Sequence, residues 1–199
     1  MIISISGLPG SGKSTVGKML AEKLGYERIS AGSVQRHIAE QKGISIMELL
    51  KQEEVDSSID EEVDNYVADL GRKKDDFVIE GRIAFHFIPD SLKVFIKVDL
   101  GEGAKRVFKD LDKEERSEED KANSAANLQK MLEQREAVDK ERYQKYYGID
   151  YTDSSNYDLV VDSTDITPDE VADKIMVEVE KRKEEEESGE KAKDEEEIL

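Results

Sequence analysis

The stretch Gly7-Leu8-Pro9-Gly10-Ser11-Gly12-Lys13-Ser14, near the start of the chain, restricts the fold more than any other segment. Gly7, Gly12, Lys13 and Ser14 fill every required position of a phosphate-binding loop. The flanks agree with it. Ile2, Ile3 and Ile5 form a short apolar run suited to a buried strand. Val16, Met19, Leu20 and Leu24 then recur at helical spacing up to Gly25, a C-terminal stop. Strand, glycine loop and helix stand in the order that turns backbone N–H groups around an anion at the positive end of a helix dipole. Gly7, Leu8, Pro9, Gly10, Ser11, Gly12, Lys13, Ser14 and Thr15 are therefore the expected cradle of a nucleoside triphosphate. Lys13 would reach the β and γ phosphates, and the Ser14 hydroxyl would ligate Mg²⁺.

Composition limits the alternatives. At 199 residues the chain has room for one α/β domain. It contains no cysteine, which excludes a disulfide framework, a thiolate zinc site and a cysteine nucleophile. Its two histidines, His37 and His86, lack metal-ligand spacing and read as non-catalytic. The apolar opening runs straight into the loop, unlike a signal peptide, and no apolar run approaches the roughly 20 residues that span a bilayer. A cytoplasmic setting is expected. With 48 acidic against 30 basic side chains, the formal net charge of −18 repels nucleic acid and anionic membranes, so neither is an expected partner. In so acidic a chain, arginines should gather where phosphates sit.

Further along, 26–30, 76–81, 92–100 and 157–163 read as strands. Between them lie a helix beginning at Ser33, one capped by Ser45, one capped by Asp56 or Ser57, and a long charged helical region from Gly103 to about Tyr147. Thr167 and Pro168 open a final helix. Strands alternating with helices predict a three-layer α/β fold, a parallel sheet flanked by helices, as a single domain over 1–183. From Glu184 the acidic, almost wholly polar remainder is expected to extend the last helix and fray into a disordered tail over 184–199.

No Asp-x-x-Gly switch or Asn-Lys-x-Asp base reader stands where a GTPase needs it, and the chain is short for a motor. A small phosphotransferase remains, and its second substrate requires further cations. Arg36, Arg82, Arg106, and the pair Arg135 and Arg142 with Asp139 between them supply these. The carboxyl ends of parallel strands line one crevice, which places Arg36, Glu80 and Arg82 beside the loop. Glu80 is the carboxylate expected to orient Mg²⁺ through water.

In "ISGLPGSGKSTVGKMLAEKLGY", "ISAGSVQR", "SSIDEEVD", "VIEGR" and "REAVDKERYQKYYGIDYTD" the sequence resembles the archaeal-type cytidylate kinases, a P-loop nucleoside monophosphate kinase family. The resemblance implies a P-loop kinase fold with a helical acceptor-binding segment (about 31–72) and a helical lid (about 104–147). It implies transfer from ATP, with Mg²⁺, to CMP or dCMP, in a monomer. Arg36 and Arg82 become clamps on the acceptor phosphate, and Asp60 and Asp64 contacts to cytosine or ribose. Arg106, Arg135 and Arg142 become lid cations over the phosphoryl group, oriented by Asp139. Two departures stand out: "IAFHF" (83–87) where the family runs Leu-Ser-Gly-Trp, and Asp110 where it places a lid arginine. The stretch that follows is longer and more acidic than usual, with Lys109 or Arg116 as replacement cations. These departures leave other acceptors open (UMP, AMP or a small alcohol), and also a nucleotide-binding sensor without turnover.

Overall fold

The computed structural model describes residues 1–53, 58–111 and 125–197. The chain runs β1 (Ile2–Gly7), α1 (Lys13–Leu24), β2 (Glu27–Ser30), α2 (Ala31–Lys42), α3 (Ile46–Glu53), α4 (Ser58–Lys73), β3 (Phe77–Glu80) and α5 (Ala84–Phe87). It continues through β4 (Leu92–Lys97), α6 (Leu100–Leu111), α7 (Ala125–Tyr147), β5 (Leu159–Asp162) and α8 (Pro168–Glu197). The five strands pair in parallel in the order β2-β3-β1-β4-β5. Helical crossovers cover both faces, so the central strand is buried on both sides: Ile3, Ser4, Ile5 and Ser6 have no exposed surface.

Side chains alternate across β1. Ile3 and Ile5 pack with Val16 and Leu20 of α1 and with Val171 and Ile175 of α8. On the other face, Ile29, Phe77 and Ile79 meet Val34, Ile38, Leu49, Ile59 and Leu70 from α2, α3 and α4. The two serines of β1 are satisfied locally, as buried hydroxyls must be. Ser4 Oγ lies 2.8 Å from Ser91 Oγ, while Ser6 Oγ donates to Gly81 O and Arg82 O at 2.9 Å each. β1 sits where the strand order reverses, with β3 on one side and β4 on the other. The crevice at its carboxyl end is thus the sheet's natural ligand site.

The ends of the helices refine the sequence reading. α2 begins at Ala31 rather than at Ser33, because Ser30 is the cap: Ser33 N donates to Ser30 Oγ, and Ser30 N to Ser33 Oγ at 2.8 Å. α8 starts as expected, with Thr167 and Glu170 exchanging the same pair of bonds ahead of Pro168. The proposed caps Asp56 and Ser57 lie outside the described residues.

α8 continues as helix through Glu197, past Glu184, from where the last helix is expected to extend and fray into a disordered tail. Glu, Lys and Ala are strong helix formers, and Lys181–Glu185 and Arg182–Glu186 pair at one-turn spacing. Among the described side chains its last buried one is Val179. Removing residues 184–199 should therefore leave Tm within a few degrees and the reaction rate nearly unchanged, as checked by thermal denaturation and steady-state assay. A fall of more than about 8 °C, roughly 2–4 kcal/mol in a domain this size, would assign the extension a structural role.

Candidate active site

α1 opens with Gly12 as its cap, without a side-chain cap bond and without an acidic residue in its first turn. Its N-terminal N–H groups are thus left for an anion. A cavity of about 700 Å³ lies over them, lined by Gly10 to Val16, Arg106, Val107, Lys109, Ser163, Ile166, Pro168 and Val171. Gly7, Leu8 and Pro9 shape the loop from behind. The Leu8 side chain packs against the cluster of Phe85, Phe95 and Tyr151. At Gly10, with φ +74°, a Cβ would come 2.3 Å from Gly103 O, so loop backbone and α6 backbone touch directly.

Lys13 folds back to donate to Gly7 O at 2.9 Å and Leu8 O at 2.8 Å. Burial holds its pKa down to about 7; Arg82 and Arg135 add to the effect and Glu80 opposes it. Lys13 therefore lies within electrostatic reach of all three. The Ser14 hydroxyl faces the cavity and makes no hydrogen bond among the described residues.

A second cavity of about 590 Å³ opens at the same carboxyl edge of the sheet, on the face covered by α2 and α4. Its lining includes Gln35, Asp60, Asp64, Arg82, Arg135, Asp139, Arg142, Tyr143 and Tyr147. Here two of the three arginines are already paired with acids. Arg82 Nε is 2.8 Å from buried Asp139 Oδ2, off the line of a good hydrogen bond. Arg142 lies 3.7 Å from Asp60 and 3.9 Å from Asp139, and its guanidinium rests 4.9 Å from the centre of the Tyr143 ring. Arg135 is exposed and has no ion-pair partner among the described residues. The Tyr147 hydroxyl donates to Asp64 Oδ2 in a short bond that joins α4 to α7. Burial raises the Asp64 pKa to about 6; Tyr147 opposes this, Asp60 reinforces it, Arg142 opposes it, and Glu61 reinforces it.

The structure thus brings together Lys13, Asp60, Asp64, Arg82, Arg135, Asp139 and Arg142, and holds two of the expected residues apart. Arg106 lines the loop's own cavity, fixed to Glu102 at 3.2 Å, Ser163 O at 2.9 Å and Thr164 O at 2.8 Å, away from Arg135 and Arg142. Arg36 is exposed on α2 and lines neither cavity; Gln35, one residue earlier, does. The backbone of Asp110 lies in α6, Lys109 lines the loop's cavity, and Arg116 lies outside the described residues. His37 and His86 serve as packing, against Tyr66 at 4.6 Å and Tyr147 at 5.8 Å.

Glu80 is buried, and its Oε1 accepts from Arg28 Nε at 2.6 Å. Gly17 accommodates it, since a Cβ there would approach Glu80 Oε1 to 2.5 Å. Ser14 and Glu80 are the hard oxygen donors Mg²⁺ takes, and this ion commonly needs few of them because substrate phosphates supply the rest. The residues fit it. Tyr143, Tyr147 and Arg28 were not singled out from the sequence. Yet Asp139, Tyr143 and Tyr147 repeat every fourth residue along one face of α7, which is a readable signal.

A phosphate loop at the switch point of a parallel sheet, with an arginine-lined cavity beside it, defines a P-loop kinase. The fold agrees: shikimate kinase from Bacteroides thetaiotaomicron superposes with a TM-score of 0.62 at 18% identity, over 90% of this chain and 98% of that one. The chain belongs to the cytidylate kinase-like family, whose model matches residues 2–165. The cytidylate kinase of Methanococcoides burtonii is 40% identical over 164 residues, 82% of this chain and 88% of that protein. An S-adenosylmethionine-dependent nucleotide dehydratase of Lacinutrix mariniflava is 37% identical over 175 residues, 87% of this chain but 35% of that protein. Among the described residues no helix is long and apolar enough to cross a membrane.

The state of Lys13 makes a prediction. Near pH 8 its amine is mostly neutral in the free protein, and a polyphosphate against it will raise its pKa, so binding should take up a proton. Calorimetric titration with a non-hydrolysable ATP analogue, in two buffers of different ionisation enthalpy, should give enthalpies that differ accordingly. Equal enthalpies would mean that the ammonium is charged beforehand.

Proposed function

We propose that the protein transfers the γ-phosphoryl group of ATP to CMP or dCMP, giving ADP and CDP or dCDP. The observation that carries this reading is the placement of Lys13 within electrostatic reach of both Arg82 and Arg135, residues of the neighbouring cavity. The donor's phosphates belong on the loop and the α1 N-terminus. The acceptor phosphate belongs on Arg82, with Arg135 and Arg142 beside it. Phosphoryl transfer asks a protein mainly to align two anions and to neutralise charge on the group in flight, and these cations do that.

The acceptor phosphate takes the guanidinium of Arg82 from Asp139, exchanging one charged partner for another. Asp139 then orients the arginines without competing for the substrate. Arg106, anchored to backbone carbonyls, shapes the donor's cavity rather than crossing to the acceptor. Ser14, and Glu80 through water, would hold Mg²⁺, which would supply positive charge against the donor phosphates. Helices α6 and α7 form the lid that excludes water from the transfer. The protein acts as a monomer in the cytoplasm.

ADP formation from ATP and Mg²⁺, with CMP, dCMP, UMP, AMP and GMP offered singly, tests this reading. Turnover should be fastest with CMP or dCMP. Preference for another monophosphate would keep the mechanism and move the specificity, and no turnover across the panel would overturn it. Lys13→Met should lower the rate by ~100-fold or more, on the scale of losing one transition-state donor, in a protein of unchanged circular dichroism. Arg82→Ala should raise KM for the acceptor by ~10- to 100-fold, the loss of a hydrogen bond to a charged group. It should leave KM for ATP nearly unchanged; an equal rise in both would remove Arg82 from the acceptor side.

A further inference from the structure

Of the three acidic residues of α4 that line the acceptor cavity, Asp60, Glu61 and Asp64, the two aspartates are held differently. Asp60 is opposed by a cation, Arg142, at 3.7 Å. Asp64 is opposed by a neutral donor, the Tyr147 hydroxyl, which engages Oδ2; no donor among the described residues reaches Oδ1. Asp64 also stands where the wide, charged cavity meets a narrower slot of about 110 Å³. This slot is lined mainly by Val34, Val63, Val67, Ile79, Ala84 and Phe87. The slot offers an apolar place for the flat ring of a monophosphate anchored on Arg82 and Arg135, and Asp64 lies on its rim.

Tyr147 is itself fixed. Phe87 meets its ring edge-on at 5.6 Å, and His86 packs on it at 5.8 Å. Both belong to the "IAFHF" segment, whose short helix α5 thereby sets the position of the hydroxyl that holds Asp64.

Resting on the acceptor reading above, we infer that Tyr147 and Asp64 form the base-selecting element of this site. The hydroxyl ties down one carboxylate oxygen so that the other accepts from the exocyclic amino group of cytosine. Cytosine presents an N–H₂ donor where uracil presents a carbonyl acceptor. An ionised carboxylate only accepts, so it attracts the first and repels the second. A protonated carboxyl both donates and accepts, and discriminates poorly. Asp64 titrates among Asp60 and Glu61 on its own helix, Arg142, Tyr143 and Tyr147 on α7, and Glu80 and Arg82 at the end of β3. His86 on α5 packs on Tyr147. The preference for CMP over UMP should therefore rise with pH as Asp64 loses its proton near pH 6. The acceptor phosphate also titrates, but it is common to both substrates and cancels in the ratio.

The test is the ratio of kcat/KM for CMP and UMP between pH 5.5 and 8, in the wild type, Asp64→Asn, Tyr147→Phe and His86→Phe, with Tm recorded for each. In the wild type the ratio should climb through pH 6. In Asp64→Asn, Tyr147 will hold the amide oxygen and turn the NH₂ toward the base. The ratio should then fall by ~10-fold or more, with a gain for UMP, and lose its pH dependence. Its Tm at pH 8 should be no lower than the wild type's, since a carboxylate that is costly to ionise in the fold has been neutralised. Tyr147→Phe should move the midpoint to higher pH, because the bond that favours the ionised form is gone.

A ratio unmoved by Asp64→Asn while CMP turnover continues would overturn the inference. So would equal losses for both substrates, or a midpoint that follows His86→Phe and ignores Tyr147→Phe. If the wild type used neither pyrimidine, the acceptor reading itself would fail before any variant was made, and the assignment of Asp64 with it.

Discussion

One side chain joins the two halves of this site. The phosphate loop leaves the end of β1, and the turn carrying Arg82 leaves the end of β3. Ser6, on the last turns of β1, donates to both Gly81 O and Arg82 O at 2.9 Å. Parallel pairing sets Ile5 opposite Glu80, which brings the strands to the edge together. The hydroxyl then fixes how the two chains part. Lys13, Glu80 and Arg82 meet as a consequence, although 75 residues separate Ser6 from Gly81. The buried position tolerates a polar residue because its hydrogen bonding is complete.

On the proposed function, so acidic a protein must hold two anions. Its formal charge of −18 is spread over a surface where water and salt screen it. Within the site, by contrast, arginines are pre-paired: Arg82 with Asp139, Arg142 with Asp60 and Asp139, Arg28 with Glu80. Such pairs keep guanidinium groups in place without leaving a concentrated positive charge unbalanced in the free protein. On that reading, a phosphate entering the arginine-lined cavity would complete a network that is already oriented, which lowers the ordering cost of binding.

The loop, the strands and the parallel architecture were legible because each is written locally. Glycine spacing, short apolar runs and Thr167-Pro168 all act over a few residues. Helical spacing put Arg135, Asp139 and Arg142 on one face, and the rule of strand ends put Arg82 beside the loop; that the two sets line one cavity was not written locally. What escaped depends on contacts distant in sequence. Arg36 and Gln35 are neighbours, and only the exact register of α2, set by the Ser30 cap, decides that Gln35 faces the cavity. Arg106 looked like a lid cation, yet the carbonyls of Ser163 and Thr164, far along the chain, claim it. Tyr147 gains its meaning only from Asp64, 83 residues away. Position within a motif was readable; the partner of a side chain was not.

The meeting of Gly10 with Gly103 has one more consequence. At this point the loop and the first turn of α6 touch through main chain alone, with no side chain between them. Side chains absorb small displacements by changing rotamer, and backbone against backbone has no such slack. A tilt of α6 is therefore delivered undamped to the cradle of the donor phosphates. Two atoms of hydrogen, standing where other residues carry carbon, make the cover and the cradle a single mechanical part.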